Sequence, residues 1–210
     1  MLANRDETKL VLQMTKNDSK TPCLHLTLGV GGDILAEEKL KLIYPHCQLH
    51  GADPELYSGK IFEKVGKYYP VAVSGVSGKE RIIARKKSGY RGHLNFTVIG
   101  ISDFIQENFP ENAVIDFIWI DVEGGEYQIF PNIHRNVTQN LPTICQINTE
   151  YHFPLKNYRS SEKSFSQMII DTVVLSEFVP IYAINGGGGH WRTFLLNIEN
   201  PKCAEKYFPC

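Results

Sequence analysis

Residues 114–127 read VIDFIWIDVEGGEY, and no other stretch restricts the fold so sharply. The run from Val114 to Ile120 is almost wholly apolar or aromatic. It suits a strand covered on both faces, as in the middle of a parallel sheet. The run stops at Asp121, Glu123 and Glu126, set around the pair Gly124-Gly125. In open α/β sheets, ligands bind just beyond the carboxyl ends of the strands. Three carboxylates on a Gly-Gly turn there read as a working site. They are expected outside the core, because an unpaired buried carboxylate costs too much.

The flanking sequence alternates strand and helix patterns. CLHLTLG (23–29) reads as a first strand ending in glycines, with Asp33 placed to cap the helix ILAEEKLKLIY and Pro45 to stop it. QLHGAD (48–53) is a second strand, and Pro54 opens a helix over ELYSGKIFEKVG. YYPVAVSG (68–75) is a third strand. ERIIARKK and GHLNFTVIG form an irregular hairpin, and Ser102 caps the helix DFIQENF. After the opening strand come a helix over 127–134, the strand TICQINTE and a helix over 162–176. FVPIYAIN and HWRTFLLNI close the chain, joined by glycines, and must be antiparallel neighbours. Such alternation demands a mainly parallel sheet with helices on both faces. We therefore expect one domain over 21–200, a polar N-terminal extension over 1–20 that reads as a frayed helix, and a tail over 201–210.

With 210 residues the chain can bury an ample core. A net charge of −1 gives no sign of a nucleic-acid or membrane-surface partner. Lys and Arg cluster at Arg81, Arg85, Lys86, Lys87 and Arg91, where alternation with Ile suggests a solvated strand and turn. No stretch has the roughly 18 apolar residues of a membrane span, and MLANRDETKL lacks a signal peptide's apolar core. The chain is expected to be soluble, cytoplasmic or lumenal/secreted. Of the five cysteines, three sit in or beside strands, where Cys behaves as a small hydrophobe. Cys203 and Cys210 could pair in an oxidising compartment. Sequons at Asn17-Asp18-Ser19, Asn95-Phe96-Thr97 and Asn136-Val137-Thr138 are compatible with that compartment.

The first strand runs into Gly29, Gly31 and Gly32 just before a helix. Glycines at that junction let backbone approach a ligand, and the helix N-terminus offers free N–H groups. Asp53 follows Gly29 by 24 positions, close to the spacing of an acid that holds ribose hydroxyls. Asp53-Pro54 as a plain helix cap is the simpler alternative.

This order of motifs resembles a class I S-adenosylmethionine-dependent methyltransferase, and more narrowly the FkbM-type methyltransferase family. The family's strand ending in K-I-D-V-E-G-x-E is matched by Trp119-Ile120-Asp121-Val122-Glu123-Gly124-Gly125-Glu126. Its acid-Pro pair is matched by Asp53-Pro54, and its acid and His after a later strand by Glu150-Tyr151-His152. The resemblance covers roughly 23–198. It implies a Rossmann-like class I methyltransferase fold with a mostly parallel seven-stranded sheet and a C-terminal antiparallel hairpin. It further implies S-adenosylmethionine over Gly29, Gly31, Gly32, Asp53, Ser102 and Asp121, and an acceptor hydroxyl of a small molecule or glycan. The chain departs from the family at Thr27, where an acid is usual, at Asp33 in place of a third glycine, and at Trp119 in place of Lys.

Methyl transfer needs an aligned acceptor and sometimes a base. His152 is the candidate base, since its unperturbed pKa lies near neutrality. Glu123 and Glu150 are the candidate carboxylates of the acceptor pocket. A hydrogen-bonded structural role for His152, and a helix-starting role for Glu126, remain alternatives. No metal is expected, although Asp121, Glu123 and Glu150 have the oxygen ligands one would need. Gly186–Gly189 reads as a hairpin turn, or as a lid. Thr27 and Trp119 support a second reading, a degenerate binding module. A nicotinamide oxidoreductase would want G-x-G-x-x-G, but the third position holds Ile34.

Overall fold

The computed structural model describes residues 1–5, 7–16, 20–85, 91–134, 141–152, 164–187, 189 and 190–208. Its strands are β1 (Leu2–Ala3), β2 (Thr8–Lys9), β3 (Leu24–Leu28), β4 (Gln48–Ala52), β5 (Lys67–Tyr69), β6 (Ala72–Ser74), β7 (Gly78–Arg85), β8 (Arg91–Gly100), β9 (Val114–Ile120), β10 (Thr143–His152), β11 (Phe178–Asn185) and β12 (His190–Asn197). Its helices are α1 (Leu35–Ile43), α2 (Leu56–Gly59), α3 (Ile101–Asn108), α4 (Glu126–Ile129), α5 (Phe165–Leu175) and α6 (Pro201–Tyr207). Single 3-10 turns extend α2 over Lys60–Lys64 and α4 over Phe130–Asn132.

The main sheet has seven strands in the order β11-β12-β10-β9-β3-β4-β5. All pairings from β10 to β5 are parallel, and only β12 runs against its neighbours. The sheet is therefore mixed rather than wholly parallel, as the terminal hairpin required. Strand β9 lies near the centre, and its side chains alternate between two cores. Ile118 and Ile120 enter one core with Phe104 of α3, Ile129 of α4 and Met168 of α5. Phe117 and Trp119 enter the other with Leu40 of α1 and Tyr207 of α6. Burial on both faces explains why the run carries no polar alternation.

Several expected elements come out differently. Pro70 cannot donate to a ladder, and the third strand splits there: β5 stays in the main sheet while β6 joins β8 and β7 in a separate three-stranded sheet. Helix α3 is not capped by Ser102; its N-cap is Gly100, whose N–H donates to Ser77 Oγ. Asp33 accepts from Leu35 N, but the next amide, Ala36 N, donates to Asn4 Oδ1 from far upstream.

The described residues of 1–14 form no helix. They make the β1–β2 hairpin and an extended strap whose backbone pairs with side-chain amides of β10. Leu10 N donates to Asn148 Oδ1 while Asn148 Nδ2 returns a bond to Leu10 O; Gln146 does the same for Leu12. Nor is 201–210 a loose tail. Helix α6 brings Tyr207 Oη to donate to buried Asp116 at 2.6 Å, and Lys206 pairs with the same carboxylate. The cysteine expectation is corrected: Cys23 bonds Cys47, and Cys203 bonds Cys145 rather than Cys210. Cys210, Lys86, Lys87 and the sequons at 17–19 and 136–138 lie outside the described residues. Asn95 and Arg81 are exposed on β8 and β7.

Candidate active site

The carboxyl ends of β3, β4 and β9 meet at one cleft. Gly29 has φ +85°, and a Cβ there would fall onto the backbone carbonyl of Asp121. Only glycine lets the β3 and β9 ends come this close. Gly31, at φ +61°, has open space where a Cβ would stand. The cleft holds about 930 Å³, counting its open mouth, and its walls include Gly29, Gly31, Asp53, Glu55, Asp121 and Glu123. Ser74 of β6 and Glu80 and Ile82 of β7 form the roof. The small sheet thus serves the site. Gly32 and Ser102 are absent from this lining.

Asp53 faces the cleft but is not idle. Its Oδ2 accepts from Val30 N and Gly31 N at 2.9 and 3.0 Å, and its Oδ1 from Glu55 N at 2.7 Å. The carboxylate therefore shapes the glycine turn and holds the Glu55 amide just ahead of α2. Burial raises its pKa, opposed by these backbone bonds.

The acidic turn is more enclosed than expected. Glu126 is fully buried, contrary to the expectation that these carboxylates avoid the core. It is tolerated because Oε1 accepts from Val122 N and lies 3.1 Å from His152 Nδ1. His152 Nε2 stands 3.7 Å from Asp121, 3.7 Å from Glu123 and 3.6 Å from Glu150. Burial disfavours the imidazolium, but the Glu126 hydrogen bond and the charges of Glu126, Asp121 and Glu123 outweigh it, lifting the pKa to about 9. At neutral pH His152 is a cation, so the reason for choosing it as a base does not hold. Arg192 donates to Glu150 at 2.8 Å, and His190 lies 3.4 Å from it.

Asp121 has one oxygen, Oδ1, that is buried without a hydrogen-bond partner, while its side chain is 38% exposed toward the cleft. Desolvation drives its pKa up, and Lys9 pulls the other way. Glu123 has φ +54° and is the only described non-glycine residue at positive φ. Such backbone strain persists where surroundings enforce it, often at functional sites. Asp121, Glu126 and His152 offer ligand atoms within 4.8 Å of one another and are the described set able to hold a divalent ion. That differs from the oxygen set expected, because Glu126 points inward.

The sequence reading missed Glu37 and Lys9. Glu37 of α1 is buried, and its Oε1 accepts from Thr27 Oγ1 at 2.8 Å. An acid does reach the place where the family carries one, supplied from ten residues downstream. In sequence, Glu37 has only the signature of a first-turn helix acid, which favours the helix dipole and does not mark a site. Trp119 is core, edge-on to His25 at 4.3 Å. The two departures that supported a degenerate module are accounted for by these contacts. The glycine run behaves as a tight turn: Gly186 N donates to His190 O and Gly187 N to Asn185 Oδ1. Gly188 lies outside the described residues.

Comparison with solved structures finds remote neighbours. M. capricolum TrmK, solved with S-adenosylhomocysteine, is 13% identical over 86% of this chain and 66% of its own, with a TM-score of 0.46. This chain thus spans just under two thirds of it. A putative type 11 methyltransferase from Sulfolobus solfataricus is 11% identical, covers 85% and 86%, and has a TM-score of 0.40. A SAM-dependent methyltransferase from Aquifex aeolicus is 8% identical, covers 84% and 82%, and also scores 0.40. Comparison with curated proteins finds no match. The model of the methyltransferase FkbM domain matches residues 3–201, taking in the N-terminal strap as well as the sheet. With that match over nearly its whole length, the chain belongs to the FkbM methyltransferase domain family.

Proposed function

We propose that the protein is an S-adenosylmethionine-dependent O-methyltransferase acting on a hydroxyl of a small molecule or glycan. The observation that carries this reading is the cleft itself. One end has the Gly29–Gly31 turn braced by Asp53, and the other has strained Glu123 beside the His152 cluster. The residues present fit the cofactor: Gly31 leaves open space, Asp53 and Glu55 border the cleft, and Asp121 presents an oxygen that accepts no hydrogen bond. When bound there, S-adenosylmethionine supplies an electrophilic methyl group. Ser74, Glu80 and Glu123 then line the side left for the acceptor. Carboxylates accept hydrogen bonds and repel anions, so they favour a hydroxylated acceptor over a phosphorylated one.

Glu123 is the proton acceptor in this reading, because it alone of Glu123, Glu150 and His152 lines the cleft. His152 holds its proton and fixes the carboxylates around it, with Glu150 secured by Arg192. Calorimetry with S-adenosylmethionine, followed by transfer of labelled methyl to a panel of hydroxyl acceptors, tests the proposal. Absence of cofactor binding would overturn it. Two buried disulfides support folding in an oxidising compartment. Thiol titration of the unfolded, unreduced protein should then find at most one free thiol among five cysteines.

A further inference from the structure

A second, smaller cavity lies on the other side of the glycine turn. It shares Leu28, Gly29, Gly31 and Asp121 with the main cleft, so the two adjoin across that turn. Its remaining polar wall comes from Asn4, Glu7 and Lys9 of the N-terminal hairpin, Thr27 of β3, Asp33 and Glu37. Lys9 of β2 lines it and is only 5% exposed. Glu37 of α1 lines it opposite, at 2% exposure, with Oε2 buried and unpartnered. Asp121 contributes Oδ1, which accepts no hydrogen bond and lies 3.7 Å from His152 Nε2. The cavity thus sets one ammonium among the carboxylates of Glu7, Asp33, Glu37 and Asp121, of which Glu37 Oε2 and Asp121 Oδ1 accept no hydrogen bond.

Burying a lysine among several carboxylates around one small space is costly unless the charges find partners. Lys9 pairs with Glu7 at 2.6 Å, yet an ammonium has three donors. A zwitterion satisfies such a wall: its carboxylate takes protons from Lys9, and its ammonium donates to Glu37 and Asp121. The α-amino acid group at the end of S-adenosylmethionine is a zwitterion of that kind. Lys9 is also held firmly. The strap is tied to Asn148 and Gln146 on β10, while Asn4 and Arg5 of the same hairpin bond to Ala36 N and Asp33 near the start of α1.

We propose that the N-terminal hairpin completes the cofactor pocket, with Lys9 binding the α-carboxylate and Glu37 and Asp121 binding the α-ammonium. This rests on the cofactor reading above. The test is calorimetry on the full chain with two ligands, S-adenosylhomocysteine and 5′-methylthioadenosine, which lacks the amino-acid end. Lys9→Met should weaken S-adenosylhomocysteine roughly 10-fold or more, as expected for a lost charged hydrogen bond. It should leave 5′-methylthioadenosine unchanged, and Lys9→Arg should restore most of the loss. Equal weakening of both ligands would make Lys9 a structural support and overturn the proposal. So would equal affinity of the unaltered protein for the two ligands, which would leave the cofactor reading standing. Failure of the unaltered protein to bind either ligand would overturn both.

Discussion

Replacing His152 with Gln removes a cation that four carboxylates surround, and the cost should depend on pH. The folded protein raises the His152 pKa from 6.5 to about 9. A raised pKa means that the folded state binds the proton more tightly than the unfolded chain does. The resulting stabilisation is full below about pH 6.5 and is lost as pH rises through about 9. At about 1.4 kcal/mol per pKa unit, it amounts to about 3 kcal/mol. Urea denaturation of both proteins, disulfides intact, at pH 6, 7.5 and 9.5 reads this directly. The stability difference should be about 3 kcal/mol larger at pH 6 than at pH 9.5. A difference constant with pH would refute the claim that His152 is held as an imidazolium, and so would an NMR titration midpoint near 6.5.

Gly29→Ala should prevent folding or cost well over 3 kcal/mol, since its Cβ would meet the Asp121 carbonyl; a normal melting temperature would count against the close approach. Asp53→Ala should weaken cofactor binding and also lower stability by about 1.5–3 kcal/mol, because three backbone donors lose their acceptor; calorimetry and melting curves separate the two effects. Glu123→Gly should stabilise the fold by up to about 1 kcal/mol by relieving φ +54°, yet abolish transfer; a stable and fully active variant would remove Glu123 from the chemistry. Reduction of the disulfides, which close loops of 24 and 58 residues, should cost about 3–4 kcal/mol each, seen as a melting temperature that falls with reductant.

Much of the fold was legible because it follows from local patterns. The β9 run, the alternation of periods and the Gly-rich C-terminal turn each name an element and a neighbour. The element boundaries that failed did so for non-local reasons. Ser102 looks like a cap in sequence, but Gly100 is the N-cap and its amide goes to Ser77; Asp33 takes Leu35 N, while Ala36 N goes to Asn4. The strap has no periodicity to read, because its hydrogen bonds go to side-chain amides of β10 rather than to a strand. The cysteines gave no spacing signal, since Cys23 and Cys47 meet at the starts of neighbouring β3 and β4 and Cys145 of β10 meets Cys203 of α6, contacts made by packing and not by sequence distance.

By itself the sequence determined that a doubly covered strand ends in carboxylates opposite a glycine turn, because apolar runs and glycine conformations are set within a few residues. Tertiary structure alone decided how those carboxylates behave. Packing buried Glu126, brought His152 within 3.1 Å of it, and thereby made the histidine a cation. It also carried Glu37 and Lys9 into the same pocket wall from elements that read as surface. Charge interactions depend on distance and dielectric, and both are properties of the folded chain.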